Sequence, residues 1–279
     1  MNKITLGTAQ WGMNYGITNS DGIPNNEELK KIINLAKKSQ ITFLDTASGY
    51  GNAEQRIGNL TNDEFNIITK VGNIRSENSI KQQLIKSLKN LKTESVYGCL
   101  FHNVDELLKN PSLWEEIQTQ KKEGLVKKVG YSLYHPQELE KLIQLNYIPE
   151  LIQIPFNLLD RRFEPYLKQL KGMKIEIHVR SIFLQGLLLS FEKMNQNKFL
   201  KWKPIWEDYH VWLKTINLSP LEACICHVLH YKEISNVIIG VEHASQLKQI
   251  ILASGKKNIE APKTLISADQ ELINPSSWF

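Results

Sequence analysis

Short apolar runs recur along the chain, and most are followed by a longer stretch whose apolar positions repeat at helical spacing. The short runs predict strands, and the longer stretches predict helices. Eight strands are expected, at 3–7, 41–45, 65–70, 97–102, 126–132, 150–154, 175–179 and 237–239. Eight strands alternating with helices favour an α/β fold that closes as a (β/α)8 TIM barrel over a doubly wound sheet.

Two of the helices show this pattern most clearly. The first covers 28–39 behind Asn25 as a predicted cap, and its apolar side carries Leu29, Ile32, Ile33 and Ala36. The second follows Ser76 as a predicted cap, and its apolar side carries Ile80, Leu84, Ile85, Leu88 and Leu91. Further helices are expected from Ala53, over 105–123, from Pro136 at a first-turn position and near 267–273.

Two stretches fit the alternation less well. The loop 7–21 is too long for a bare turn, and a long loop on the catalytic face of a barrel often carries binding groups. Residues 190–217 interrupt the strand count with helical segments that carry four aromatic side chains, Trp202, Trp206, Tyr209 and Trp212. We expect these aromatics to pack in a core rather than to contact a ligand.

Composition limits the classes of function. The chain has 279 residues, enough for one barrel or two small domains, and we prefer a single domain over 1–279. Its net charge of +5 is spread along the sequence, so nucleic-acid binding is not indicated. The N-terminus has no hydrophobic signal region, and no run reaches the ~18 apolar residues of a membrane helix. We expect a soluble, cytoplasmic protein without a membrane partner.

The three cysteines, Cys99, Cys224 and Cys226, lack a paired metal-ligand spacing. We interpret them as buried small apolar residues of a reducing compartment, and no metal site is expected.

Ionisable side chains stand at the ends of three successive predicted strands. Asp45 ends the second, Lys70 the third and His102 the fourth, and Tyr50 lies just beyond the first of these. Each residue alone has an ordinary structural explanation. Parallel barrel strands all end on one face, however, so the four side chains are expected to converge. A tyrosine beside a cation can act as a proton donor, because the cation lowers its pKa toward the working pH.

These residues resemble the signature of the aldo-keto reductases. The similarity lies in Asp45-Thr-Ala-x-x-Tyr50-Gly-x-Ala-Glu54-x-x-Ile-Gly58, Ile-Thr-Lys70 and Leu-Phe-His102. It continues in family order from residue 3 to about 254, through LGTAQWG at 6–12, VGYS at 129–132, IQIPFNLLD at 152–160, VRSIFLQGLL at 179–188 and IIGV at 238–241. The phrases PFNLLDRR and RSIFLQGLL are most similar to sugar-related and polysaccharide-cluster bacterial members.

The resemblance implies NAD(P)H-dependent reduction of an aldehyde or ketone, including a sugar or nucleotide-linked sugar, to an alcohol. Tyr50 would be the general acid, Lys70 paired with Asp45 would lower the pKa of Tyr50, and His102 would orient the carbonyl. Trp11 and Asn157 would line the substrate side. Aldo-keto reductase-like proteins without turnover, serving as nucleotide-binding regulatory or structural proteins, are the alternative.

The resemblance also implies an extended nicotinamide nucleotide on the C-terminal face of the barrel, whereas a Rossmann site is unsupported because no G-x-G-x-x-G follows the first strand. Ser132 and Gln153 would contact the carboxamide, and Arg180 would stack on the ring. The diphosphate would lie on Ser181, Phe183 and the turn Gln185-Gly186. The remaining positions mapped to the nucleotide are Gly7, Thr8, Gly240, Glu242, Gln246 and Gln249.

The loop that opens the last barrel helix departs from the family pattern. Members that prefer NADPH usually offer Arg or Lys to the 2′-phosphate there, whereas this chain has Glu242 and His243, with Lys248 as the only nearby cation. A helix N-terminus attracts anions, although an ordinary helix cap explains the same residues. NADPH is the expected cofactor, and NADH is the alternative. The physiological substrate, the direction of the reaction and the oligomeric state are not set by the sequence.

Overall fold

The computed structural model describes residues 2–61, 64–75 and 78–278. The strands in them are β1 (Ile4–Gly7), β2 (Phe43–Asp45), β3 (Asn66–Val71), β4 (Val96–Phe101), β5 (Val126–Ser132), β6 (Leu151–Pro155), β7 (Glu176–Arg180) and β8 (Asn236–Gly240). Each strand pairs in parallel with the next, and β8 pairs with β1, which closes the barrel. This confirms the (β/α)8 fold that the alternation predicts.

Helices surround the barrel and extend beyond it. The α-helices are α1 (Ala9–Gly12), α2 (Asn26–Lys38), α3 (Ala53–Leu60), α4 (Ile80–Leu91), α5 (Asp105–Lys109), α6 (Ser112–Lys122), α7 (Pro136–Gln144), α8 (Leu167–Gly172), α9 (Phe191–Met194), α10 (Lys203–Ile216), α11 (Pro220–His230), α12 (Ala244–Ser254) and α13 (Gln270–Ile273). Short 3₁₀ helices occupy Glu164–Tyr166, Leu184–Leu189, Asn197–Trp202, Lys263–Leu265 and Pro275–Trp278.

Several boundaries differ from the sequence-based prediction. β2 begins at Phe43 because the N–H of Ile41 bonds to the Ala36 carbonyl and so still belongs to the exit of α2. The predicted helix over 105–123 is interrupted at Asn110 and Pro111, where α5 ends and α6 begins. His102 follows the end of β4, although its N–H donates to the Val71 carbonyl at 2.8 Å and keeps it in register with β3.

The helix caps were predicted in part. The Asn25 side chain accepts from the Glu28 N–H, as expected for the cap of α2. Ser76 lies outside the described residues, and the N-cap of α4 is Ser79, which forms a capping box with Gln82. Ile85 was wrongly placed on the buried side of α4, since it is 50% exposed. It lies about 100° around the helix from Leu84, away from the core.

A second apolar core lies beside the barrel. It joins the 190–217 region to residues near the end of the chain, and the side chains of Trp202, Trp206 and Tyr209 are buried in it. Two of them also bond to backbone, since Trp206 Nε1 donates to the Phe199 carbonyl at 2.9 Å and the Tyr209 hydroxyl to the Leu188 carbonyl at 3.1 Å. These contacts match the expected packing role.

The three cysteines are buried free thiols, as predicted. A bilayer-spanning helix would need more length and apolar character than any helix in the described part of the chain provides.

Candidate active site

A buried ion pair joins the ends of β2 and β3. The Lys70 ammonium lies 2.8 and 2.7 Å from the two Asp45 carboxylate oxygens and donates to the Thr46 carbonyl at 3.0 Å. Only 1% of the Lys70 side chain and 6% of the Asp45 side chain are exposed. Burial lowers the pKa of Lys70, and the Asp45 carboxylate opposes this shift by stabilising the ammonium. The pair fixes a cation at the C-terminal end of the barrel.

Tyr50 lies on the loop between β2 and α3, next to this ion pair. Its N–H donates to the Ala47 carbonyl and its carbonyl accepts from the Ala53 N–H, both at 3.0 Å. The loop packs so closely on α1 that a side chain at Gly12 would collide with the Tyr50 carbonyl. The Lys70 ammonium lies 5.2 Å from the centre of the phenol ring. Local backbone contacts therefore hold the phenol beside the cation.

His102 completes the cluster from the end of β4. Its ring centre lies 5.7 Å from that of Tyr50, and the two rings are nearly perpendicular. The structure thus brings together all four residues, Asp45, Tyr50, Lys70 and His102, that strand phase predicts to converge, and all four line one cavity.

The protonation states of this cluster follow from its burial. Burial, followed by the nearby Asp45 carboxylate, raises the pKa of Tyr50 well above its ordinary value. The raised pKa of Tyr50 is opposite to the lowering expected from Lys70, because burial and the Asp45 charge outweigh the effect of the ammonium. Burial and the Lys70 charge lower the pKa of His102 to about 4. At neutral pH the site therefore holds a protonated phenol beside a neutral imidazole.

The cavity has a volume of ≈ 460 Å³ and extends along the C-terminal face of the barrel. Nearly every residue mapped to the nucleotide lines it, namely Gly7, Thr8, Ser132, Arg180, Ser181, Phe183, Gln185, Gly186, Gly240, Glu242, Gln246 and Gln249. The exception is Gln153, which is buried and donates a short hydrogen bond to Asp45. Its Oε1 has no hydrogen-bond partner within the described residues, so a polar group remains to be satisfied there.

The loop after β7 adopts an uncommon backbone conformation. Four of its residues have positive φ, namely Ser181, Leu184, Gln185 and Gly186. Gly186 has a φ of 94°, and a side chain there would collide with Thr18 from the β1 loop. Left-handed residues in a tight loop can direct successive N–H groups into a concave, anion-binding nest. Backbone strain of this kind is concentrated at binding sites.

Arg180 is already engaged at the edge of the cavity. Its guanidinium lies over the Tyr134 ring at 4.4 Å from the ring centre and donates to the Leu133 carbonyl at 2.9 Å. It also donates to the Ser132 hydroxyl at 3.3 Å. The predicted ring-stacking residue therefore has an aromatic partner from its own chain.

Trp11 and Asn157 do not line the cavity, in contrast to the sequence-based placement against the substrate. Trp11 is fully buried in the barrel core. Asn157 uses its amide to shape the loop after β6, because its Oδ1 accepts from the N–H groups of Leu159 and Asp160 and its Nδ2 donates to the Ser181 carbonyl. Asn157 therefore supports the cavity wall from behind.

Other residues on the wall were not predicted. The polar and aromatic side chains among them are Gln10, Tyr15, Thr18 and Tyr134. Tyr15 and Thr18 belong to the long β1 loop that the sequence singles out as a binding segment, and Gln185 Nε2 lies 3.4 Å from the Tyr15 hydroxyl. The length of the β1 loop was thus the sequence signal for Tyr15 and Thr18, whereas no sequence feature indicated Tyr134. A search of the described residues finds no cluster of ligands suited to a metal ion.

Comparison with known proteins agrees with this geometry. The sequence profile of the Aldo/keto reductase family matches residues 3–262. The chain is 28% identical to a protein named uncharacterized oxidoreductase YqkF from Bacillus subtilis (strain 168), over 93% of each chain.

Two solved structures show the same fold. The aldo-keto reductase AKR11C1 from Bacillus halodurans, in its holo form, is similar with a TM-score of 0.74 at 18% identity, covering 92% of this chain and 88% of that chain. The glycerol dehydrogenase AKR11B4 from Gluconobacter oxydans has a TM-score of 0.72 at 19% identity, with the same coverage. Because the family profile spans nearly the whole sequence, this chain belongs to the aldo/keto reductase family.

Proposed function

We propose that this chain reduces an aldehyde or ketone to an alcohol with a nicotinamide nucleotide as reductant. The observation that carries the proposal is the position of the protonated Tyr50 phenol at the cavity wall, beside the buried Lys70–Asp45 pair and the neutral His102 ring. A phenol, an ammonium and an imidazole around one space provide the groups that carbonyl reduction requires.

A reduced nicotinamide nucleotide, when bound in the cavity, would supply a hydride to the carbonyl carbon. As negative charge develops on the carbonyl oxygen, Tyr50 transfers its phenolic proton to that oxygen. The transfer is favourable despite the raised pKa of Tyr50, because an alkoxide is a stronger base than a phenolate. General acid catalysis of this kind contributes about 10²–10⁴-fold to the rate.

Lys70 stabilises the phenolate that remains after this transfer. Asp45 keeps the ammonium ionised and in place, so the charge needs no reorganisation during the reaction. His102, being neutral, donates one N–H to the carbonyl oxygen and orients it. Its low pKa prevents it from competing with Tyr50 as the proton donor at neutral pH.

The rest of the cavity fits an extended nucleotide. The loop 181–186, with its four left-handed residues, would hold the diphosphate on its N–H groups, and Ser132 on the cavity wall would meet the carboxamide. The wall draws on residues from Gly7 to Ile250, so we propose that 1–279 works as one catalytic domain. The cavity volume of ≈ 460 Å³ suits a small-molecule carbonyl. The sugar-like or nucleotide-linked sugar substrates implied by the resemblance belong to this class.

A substrate screen tests the proposal. Purified protein is mixed with NADPH or NADH and a panel of aldehydes, ketosugars and nucleotide-linked ketosugars, and the absorbance of the reduced nucleotide is followed. We expect turnover with at least one carbonyl class, and turnover of the matching alcohol with the oxidised nucleotide, since the same residues serve both directions. Nucleotide binding without turnover of any substrate would instead support the regulatory or structural alternative.

A further inference from the structure

The end of the cavity farthest from His102 is formed by residues 240–250, where β8 leads into α12. β8 lies four strands from β4 around the closed barrel and therefore opposite it. On the proposed function, a dinucleotide whose nicotinamide reaches Tyr50 must place its adenosine half at this end. The adenosine ribose, which carries either a 2′-hydroxyl or a 2′-phosphate, then meets the start of α12.

The three backbone N–H groups of residues 242–244, which lead into α12, already have acceptors. Glu28 Oε1 accepts from the Ala244 N–H at 2.8 Å. Gln246 Oε1 accepts from the N–H groups of Glu242 and His243 at 2.8 and 3.1 Å. A helix N-terminus binds phosphate through free N–H groups, and here one of them is occupied by a carboxylate of the same chain.

The charge of this end is also unfavourable for a phosphate. Glu242 lines the cavity, and the hydrogen bond from Ala244 lowers the pKa of Glu28, so this carboxylate is ionised at neutral pH. Among the described residues that line the cavity, the cations are Lys70 and Arg180. Lys70 is paired with Asp45, and the Arg180 guanidinium is engaged by Ser132, Leu133 and Tyr134 at and beyond the end of β5.

Two of the neighbouring basic groups are paired with acids. Lys31 lies outside the cavity and pairs with Glu28 Oε2 at 3.0 Å. His243 Nε2 lies 2.8 Å from the Asp21 carboxylate. The third, Lys248 on α12, does not line the cavity. A 2′-phosphate, which carries a charge of about −1.5 to −2, would therefore meet the Glu242 carboxylate without a cation on this part of the cavity wall.

We propose that this chain selects NADH over NADPH, because Glu242 on the cavity wall repels the 2′-phosphate and Glu28, from outside the cavity, occupies the Ala244 N–H. The proposal reverses the preference for NADPH implied by the resemblance. The ribose of NADH keeps a neutral 2′-hydroxyl, which can share hydrogen bonds with a carboxylate or amide at this end.

Binding measurements test the proposal without turnover. Dissociation constants of 5′-AMP, 2′,5′-ADP (adenosine 2′,5′-bisphosphate), NADH and NADPH are measured by isothermal titration calorimetry. We expect each ligand that lacks the 2′-phosphate to bind about tenfold or more tightly than its partner, which corresponds to about 1.4 kcal/mol. The ratio should shrink at high salt, since it is electrostatic.

Two charge-neutralising variants identify the responsible residues. Glu28→Gln keeps an acceptor for the Ala244 N–H and frees Lys31, so it should tighten the binding of 2′,5′-ADP about threefold or more relative to that of 5′-AMP. Glu242→Gln should act in the same direction. The matched control is Glu27→Gln, since this neighbour on α2 is exposed and pairs with Lys30 at 2.8 Å. It should leave the ratio unchanged.

The outcomes separate this inference from the proposed function. Equal affinities, or tighter binding of 2′,5′-ADP and NADPH by the wild-type protein, would overturn the inference and leave carbonyl reduction standing. An effect of Glu27→Gln as large as that of Glu28→Gln would also overturn the assignment to Glu28. Failure of all four ligands to bind would refute the nucleotide site on which both proposals rest.

Discussion

Removing the Lys70 ammonium should leave a carboxylate buried without its partner. In Lys70→Met, Asp45 loses both charged contacts, at 2.8 and 2.7 Å, while its side chain stays 6% exposed. Breaking a buried ion pair in this way costs about 3–5 kcal/mol of unfolding free energy. Urea denaturation with linear extrapolation measures this loss.

Two comparisons sharpen the experiment. Adding Asp45→Asn to Lys70→Met removes the stranded charge, so the double variant should recover part of the loss, with a coupling free energy of about 1–3 kcal/mol. Lys30→Met, at an exposed pair whose side chains are 55% and 76% accessible, should cost less than about 1 kcal/mol. If Lys70→Met costs no more than Lys30→Met, the pair is not desolvated, and the argument for a fixed cation beside Tyr50 fails.

Two further predictions follow from His102 and Asn157. The pKa of His102 is about 4, so its ring should remain neutral from pH 8 to pH 5; because this folded pKa is depressed, its contribution to stability should be lost as pH falls from about 6.5 through about 4. NMR titration of the ring resonances, assigned with His102→Asn, measures this, and a midpoint near 6.5 would contradict it. Asn157→Ala leaves the N–H groups of Leu159 and Asp160 without their acceptor, so it should cost about 1–3 kcal/mol of unfolding free energy while the KM for the carbonyl changes little. A raised KM at unchanged stability would contradict this and indicate that Asn157 contacts the substrate.

The barrel and the catalytic cluster could be predicted from local patterns. The positions of Asp45, Lys70 and His102 at the ends of successive predicted strands suffice to place them on one face, because parallel strands share a direction. Tyr50 follows from its distance along the loop after β2. These inferences need only the order of the residues and the geometry of a strand, which explains why they match the coordinates.

Other features depend on contacts between distant segments, which a linear pattern does not contain. Glu28 contacts the start of α12 across 216 residues of sequence, so this contact could not be predicted from the sequence pattern. The predicted lowering of the Tyr50 pKa was wrong, because burial and Asp45 outweigh Lys70. Burial is a property of the folded site, which a linear pattern does not contain. Trp11 and Asn157 are of residue types that often line binding sites, but Trp11 packs in the core and Asn157 caps the loop after β6.

The most direct measurement is a single-turnover comparison of wild-type protein with Tyr50→Phe. Protein saturated with reduced nucleotide is mixed rapidly with an active carbonyl substrate, and the loss of nucleotide absorbance is recorded. Tyr166→Phe serves as the control, since Tyr166 does not line the cavity and its hydroxyl donates to Glu140 on the surface. We expect Tyr50→Phe to bind nucleotide normally and to lose about 10²–10⁴-fold in the reduction rate. A rate near that of the wild-type protein would contradict the assignment of Tyr50 as the proton donor.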